Sequence, residues 1–140
     1  MRTTAKSTTP TSTLVEEHAL LSSPGLTVTT PRREGSTSDA AVLRVRGDLD
    51  MVTAPQLHDV LHERLARTDR AVVDLSDVDF LGTAGIEVLV QLAQQVRLAL
   101  VARGPALRAI TVTGADADLA VHSGLVDAER SLNGPRTAVC

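Results

Sequence analysis

The chain predicts an α/β layer fold, and three observations carry the prediction. Two strand-like segments open the folded region, helical and strand periods then alternate to the end, and no unit of about 20 to 50 residues repeats. At 140 residues the length suits one compact domain with tails. Hydrophobic residues make up 43% and aromatic ones 1%, with Phe80 alone in that class, so the core must be aliphatic.

In chain order, residues 1–25 read as a disordered or weakly structured extension, 26–132 as the domain and 133–140 as a loose tail. Met1–Thr13 holds Thr3, Thr4, Ser7, Thr8, Thr9, Thr11, Ser12 and Thr13 and almost nothing to bury, so disorder is expected. Leu14–Leu21 has enough leucine for a marginal helix that needs docking to persist. Gly25–Thr30 alternates Leu26 and Val28 against Thr27 and Thr29, a first strand, and Pro31–Ser38 reads as a turn region. Ala41–Arg46 sets Ala41, Leu43 and Val45 on one face and Val42, Arg44 and Arg46 on the other, as in a sheet with one covered face. Gly47-Asp48-Leu49-Asp50 leads to a helix start, with Thr53 as N-cap, Pro55 in the first turn and Gln56 at N3 forming a capping box. Leu57, Val60, Leu61 and Leu65 form its buried stripe.

Ala71–Gln95 is the centre of the chain. Ala71–Leu75 is a buried strand by its short apolar run with two β-branched residues, and Ile86, Leu89, Leu92, Ala93 and Val96 then follow a helical period. Between them Ser76–Gly85 reads as an acidic loop that delivers Thr83 to the first turn of the helix. Unpaired N–H groups and the positive end of the helix dipole favour a cap, an anion or a phosphate there. Farther on, Arg97–Ala102 is a strand, and Pro105 opens a helix that Gly114 closes, with Leu107, Ile110 and Thr111 facing inward. Leu119–His122 and Val126–Leu132 are a last strand and a last short helix.

Several function classes lack support. Net charge is −3 and no run of five Lys/Arg occurs, so a direct nucleic-acid role is not expected. No apolar run reaches the roughly 18 residues of a membrane span, and Ser and Thr occupy the place of a signal peptide's apolar region. Cys140 is the single cysteine, which excludes an internal disulfide. The expected location is therefore cytoplasmic. His58 and His62 share a helix face but lack a third ligand at motif spacing. Asp74, Asp77 and Asp79 are either oxygen ligands for a magnesium ion or, as expected, solvated carboxylates. No phosphate-binding glycine loop or nucleophile elbow is present, so neither an enzyme, a metal nor a cofactor is expected. Asp48 and Asp50 read either as interface carboxylates or as loop aspartates bonded to their own backbone.

Leu43–Leu57, LRVRGDLDMVTAPQL, and Val72–Leu89, VVDLSDVDFLGTAGIEVL, resemble the two most diagnostic segments of STAS domains, the fold of bacterial anti-sigma-factor antagonists. The resemblance spans about Leu26–Leu132. It implies a small mixed β-sheet with helices packed mainly on one face. It also implies an antagonist that binds an anti-sigma-factor serine/threonine kinase, frees a sigma factor, and is switched off by phosphorylation of a loop hydroxyl. That hydroxyl falls on Thr83, and the implied partner surface on Asp48, Asp50, Asp79, Gly82, Thr83, Ala84 and Gly85. The chain departs from the family pattern at Gly82, where Asp is usual, at Ala84, where a second Ser is common, and at Glu87, where a small residue is usual. The alternative is a STAS interaction or ligand-sensing module without a phosphoswitch.

Overall fold

The computed structural model describes residues 16–32 and 40–133. A single six-stranded sheet runs β1 (Glu16–Ser23), β2 (Leu26–Arg32), β3 (Ala41–Leu49), β4 (Arg70–Leu81), β5 (Arg97–Val101) and β6 (Ala120–His122), in that spatial order. The first three strands pair antiparallel and the last four parallel, so the sheet is mixed and β3 is the hinge between the two modes. Parallel neighbours require crossover connections. Those connections are the helices α1 (Ala54–Arg64), α2 (Thr83–Ala93) and α3 (Gly104–Thr113). Because β3 to β6 advance in one direction, right-handed crossovers place all three on the same face. α4 (Leu125–Asn133) follows the last strand and lies on the other face.

The larger core lies under α1–α3. Leu43, Val45 and Leu49 of β3 and Val73 and Leu75 of β4 meet Leu57 and Leu61, Leu89, and Ile110, all nearly inaccessible to solvent. On the other face Val72, Ala99 and Val101 pack against Ala128 and Leu132 of α4. β4 is thus buried on both sides from Ala71 to Leu75. That is why its sequence reads as an apolar run broken only by Asp74, whereas β3 alternates.

Four expectations need correction. The described part of the helix expected at Leu14–Leu21 is strand: Glu16–Ser23 pairs with β2 across the Gly25 turn, where φ is +87°. A lone eight-residue helix gains little in water, while pairing with an existing strand satisfies the backbone of both. The sheet therefore begins at Glu16, inside the segment read as a weakly structured extension. Second, most of the acidic loop is strand. β4 continues to Leu81, its register against β3 shifting between Arg44 and Arg46 and between Gly47 and Asp48. Third, Leu107 and Thr111 are exposed; α3 buries Ile110, as expected, together with Ala106. Fourth, the capping box does not form, as described below. Met1–Thr13, residues 33–38 of the turn region and the tail beyond residue 133 lie outside the described residues.

Candidate functional site

The C-terminal ends of β3 and β4 and the first turn of α2 meet at one end of the sheet. Gly82 N–H donates to the Leu49 carbonyl at 2.9 Å, which ties the start of α2 to the end of β3. Gly82 is the N-cap, with extended backbone at φ −91° and ψ 178°, and its carbonyl accepts from Ile86 N–H at 3.1 Å. Thr83 is therefore the first helical residue. Its side chain is exposed, and among the described residues its hydroxyl makes no hydrogen bond. The capping role is unfilled by Thr83; the hydroxyl stands in solvent beside the unpaired N–H groups of the first turn. Two residues on, Gly85 is buried so tightly that a Cβ there would lie 2.8 Å from Leu49 Cβ.

The loop from β3 to α1 flanks Thr83, and its geometry explains the missing capping box. Thr53 Oγ1 donates back to the Asp48 carbonyl at 2.7 Å and accepts Asp50 N–H at 2.9 Å. Gln56 Oε1 turns away to Ser23 Oγ at 2.6 Å, joining α1 to the β1–β2 turn. The Asp50 carboxylate accepts the N–H groups of Val52 and Thr53, both at 2.9 Å. The Thr53 N–H bond above all, with those of Val52 and the Thr53 hydroxyl, holds the Asp50 carboxyl below its ordinary range. Asp50 thus clasps the loop from within, the own-backbone role of loop aspartates.

With the clasp in place, Met51 and Val52 project outward at 82% and 72% exposure, and Phe80 at 53%. The Phe80 ring lies against Gly82, so a Cβ on that glycine would come within 3.0 Å of it. Asp48, opposite Phe80 in the β3–β4 register, and Asp79 are exposed beside this apolar trio. The structure therefore brings Asp48, Asp79, Gly82, Thr83 and Ala84 together at one end, with Asp50 and Gly85 supporting them from beneath. Sequence reasoning missed Met51, Val52 and Phe80. The signal for the first two was an apolar pair inside a polar turn.

The other aspartates lie elsewhere. Asp74 is 8% exposed, faces Arg44 Nε at 3.6 Å and accepts Ser76 N–H at 2.9 Å, so it is not the solvated carboxylate expected. Asp77 faces Arg46 Nε at 3.6 Å. His58 and His62 stack with ring centroids 5.9 Å apart. Among the described residues no three His, Cys, Asp or Glu converge as a metal site, and no helix is long and apolar enough to cross a membrane.

A mixed six-stranded sheet, three crossover helices on one face and a solvent-facing Thr at the start of the second define a small α/β module. Residues 31–128 match the STAS domain, and the chain belongs to that family. Among its relatives is the anti-sigma-F factor antagonist RsfB of Mycobacterium tuberculosis, 35% identical over 117 residues that cover 79% of this chain and 93% of the relative. The crystal structure of an anti-sigma factor antagonist from Mycobacterium paratuberculosis superposes with a TM-score of 0.69 at 33% identity, over 81% of this chain and all of that one. The anti-sigma factor antagonist SpoIIAA in its unphosphorylated form shares the fold at a TM-score of 0.56 and 13% identity, over 74% of this chain and 96% of that one.

Proposed function

We propose that the chain is an anti-sigma-factor antagonist: it binds an anti-sigma-factor serine/threonine kinase through the surface around Thr83 and frees a sigma factor. Phosphorylation of Thr83 ends the interaction. The observation that carries this reading is a hydroxyl that is exposed, without a hydrogen bond, at the first position of α2, set among the exposed Met51, Val52 and Phe80. The similarity to two mycobacterial antagonists above 30% identity supports it. An exposed apolar trio is what a protein partner covers, and a phosphate beside it brings a charge that the covered state must desolvate.

The test uses the purified kinase, ATP and three forms of the chain. Wild type gains one phosphate by mass spectrometry, at Thr83, and Thr83→Ala gains none but still binds in calorimetric titration. Thr83→Glu loses about 3 kcal/mol, roughly a hundredfold in affinity at about 1.4 kcal/mol per decade. A second reading, a STAS interaction module without a phosphoswitch, has Glu87 in its favour. That carboxylate lies one helical turn beyond Thr83 and repels a phosphate. Kinase binding without phosphate transfer, with Thr83→Glu as tight as wild type, decides for it.

A further inference from the structure

Beside Thr83 the surface dips into a groove of about 460 Å³ between α1 and α2. Ala54, Ala84 and Val88 line it with apolar surface beside the outward Met51, His58 and Gln91 add polar groups, and the exposed Asp59 and Glu87 supply its only carboxylates among the described residues. Both carboxylates are exposed, Asp59 with 85% of its side chain accessible and 3.4 Å from His58 Nδ1. No Lys or Arg is among its lining residues. Apolar surface beside two carboxylates matches one kind of side chain: a long methylene stem that ends in a cation. A leucine would leave the two carboxylates facing a dry interface without a counter-charge, and an acidic side chain would be repelled by both.

We propose that this groove receives one arginine or lysine side chain of the partner, its stem along the apolar surface of Met51, Ala84 and Val88 and its cationic head at Glu87 and Asp59. The inference deepens the preceding reading and rests on it for the identity of the partner. It also gives a role to Glu87, where this chain departs from the family pattern. Charge there selects among partners: a cognate kinase supplies the cation, and one with an apolar or acidic residue in that position leaves Glu87 desolvated and unpaired.

Two measurements test it. Against the purified anti-sigma-factor kinase, Glu87→Gln binds at least about thirtyfold more weakly than wild type, and Glu87→Lys more weakly still, while the thermal midpoints of both match wild type because the side chain is exposed. An Arg→Glu or Lys→Glu change at one site on the kinase restores binding to Glu87→Lys and not to wild type. The second measurement needs no kinase. In NMR titration of the isolated chain, N-acetyl-arginine amide shifts the amides of Ala84, Glu87 and Val88, its neutral isostere N-acetyl-citrulline amide does not, and Glu87→Gln abolishes the response. Full affinity of Glu87→Gln for the kinase overturns the proposal. So does an equal response to N-acetyl-norleucine amide, which makes the occupant apolar, or self-association of the chain that Glu87→Lys abolishes, which makes it a second copy. If wild type binds no kinase, the antagonist reading fails by itself and the arginine titration alone decides the groove.

Discussion

Gly85→Ala tests whether the start of α2 is positioned by contact with β3. In an ordinary helix interior this change stabilises by about 1 kcal/mol, because alanine is the better helix former. Here the added Cβ would sit 2.8 Å from Leu49 Cβ and 2.9 Å from Leu81 Cδ1. Leu81 Cδ1 ends a side chain and can rotate away. Leu49 Cβ is fixed to the backbone of β3 and its residue is fully buried, so relief there requires α2 and β3 to separate by several tenths of an ångström. Overpacking of that kind costs about 1–3 kcal/mol, and with the contact against fixed backbone it outweighs the propensity gain, leaving a net loss of up to about 2 kcal/mol. Urea unfolding reads it as a lower midpoint at unchanged slope. Gly114→Ala is the control: nothing lies within 4 Å of its Cβ, and the cost comes only from holding alanine at φ +79°, about 1–2 kcal/mol. Because Thr83 is two residues away, Gly85→Ala also weakens kinase binding, whereas Gly114→Ala does not. Stability of Gly85→Ala equal to or above wild type refutes the crowding argument and with it the claim that this contact sets the pose of Thr83.

The Asp50 clasp carries a pH dependence. Its folded pKa is depressed below the ordinary aspartate range, so its stabilisation is present above that range and is lost as pH falls through the lower folded value. Comparing the acid limbs of wild type and Asp50→Asn by circular dichroism checks this: the variant loses less stability over that window, and parallel curves count against the clasp. The two arginines of the open sheet face separate by burial. Arg44→Ala leaves Asp74, whose side chain is 12% exposed, with Ser76 N–H but without its counter-charge, and costs about 1–3 kcal/mol. Arg46→Ala loosens Asp77, whose side chain is 56% exposed, and costs under about 1 kcal/mol. Equal thermal shifts in the two variants contradict the burial argument.

What the sequence made legible, it made legible through burial that leaves a local period. Ala71–Leu75 is covered on both faces and reads as an apolar run, β3 is covered fully on one face and alternates, and Leu57 with Leu61 and Ile86 with Leu89 mark the stripes of α1 and α2. Thr83 was legible for the same reason, since the change of period locates the start of α2. The misses are residues whose state is set by partners distant in sequence. Glu16–Ser23 has a composition that suits helix or strand, and β2 decides. Thr53 and Gln56 have the spacing of a capping box, yet Asp48 O and Ser23 Oγ hold them. Asp74 looks like one acid among three until β3 sets Arg44 beside it. Met51 and Val52 show the converse: an apolar letter says nothing about which side of the surface it occupies until the Asp50 clasp turns the loop outward.

The spacing of Thr83 and Gly85 couples the fold to the switch proposed above. Thr83 touches no hydrogen-bonding partner and lies in solvent, so a group added there meets N–H donors and a helix dipole worth about 0.3–1 kcal/mol to an anion. Gly85, half a turn on, has no room even for a methyl. On the proposed reading a kinase adds charge at the first residue of α2 without moving the helix, because the contact that holds the helix is made by the third. A phosphate then acts on the partner surface alone: it places charge among Met51, Val52 and Phe80 and in front of Glu87, where a binding partner has to desolvate it. Were the hydroxyl instead a buried cap, the same phosphate would break a hydrogen bond and lift α2 off β3, and the module would switch by unfolding. The circular dichroism melt of Thr83→Glu separates these cases. A midpoint within error of wild type, together with the hundredfold loss of affinity, is the signature of a surface switch, and a drop of several degrees is that of a cap.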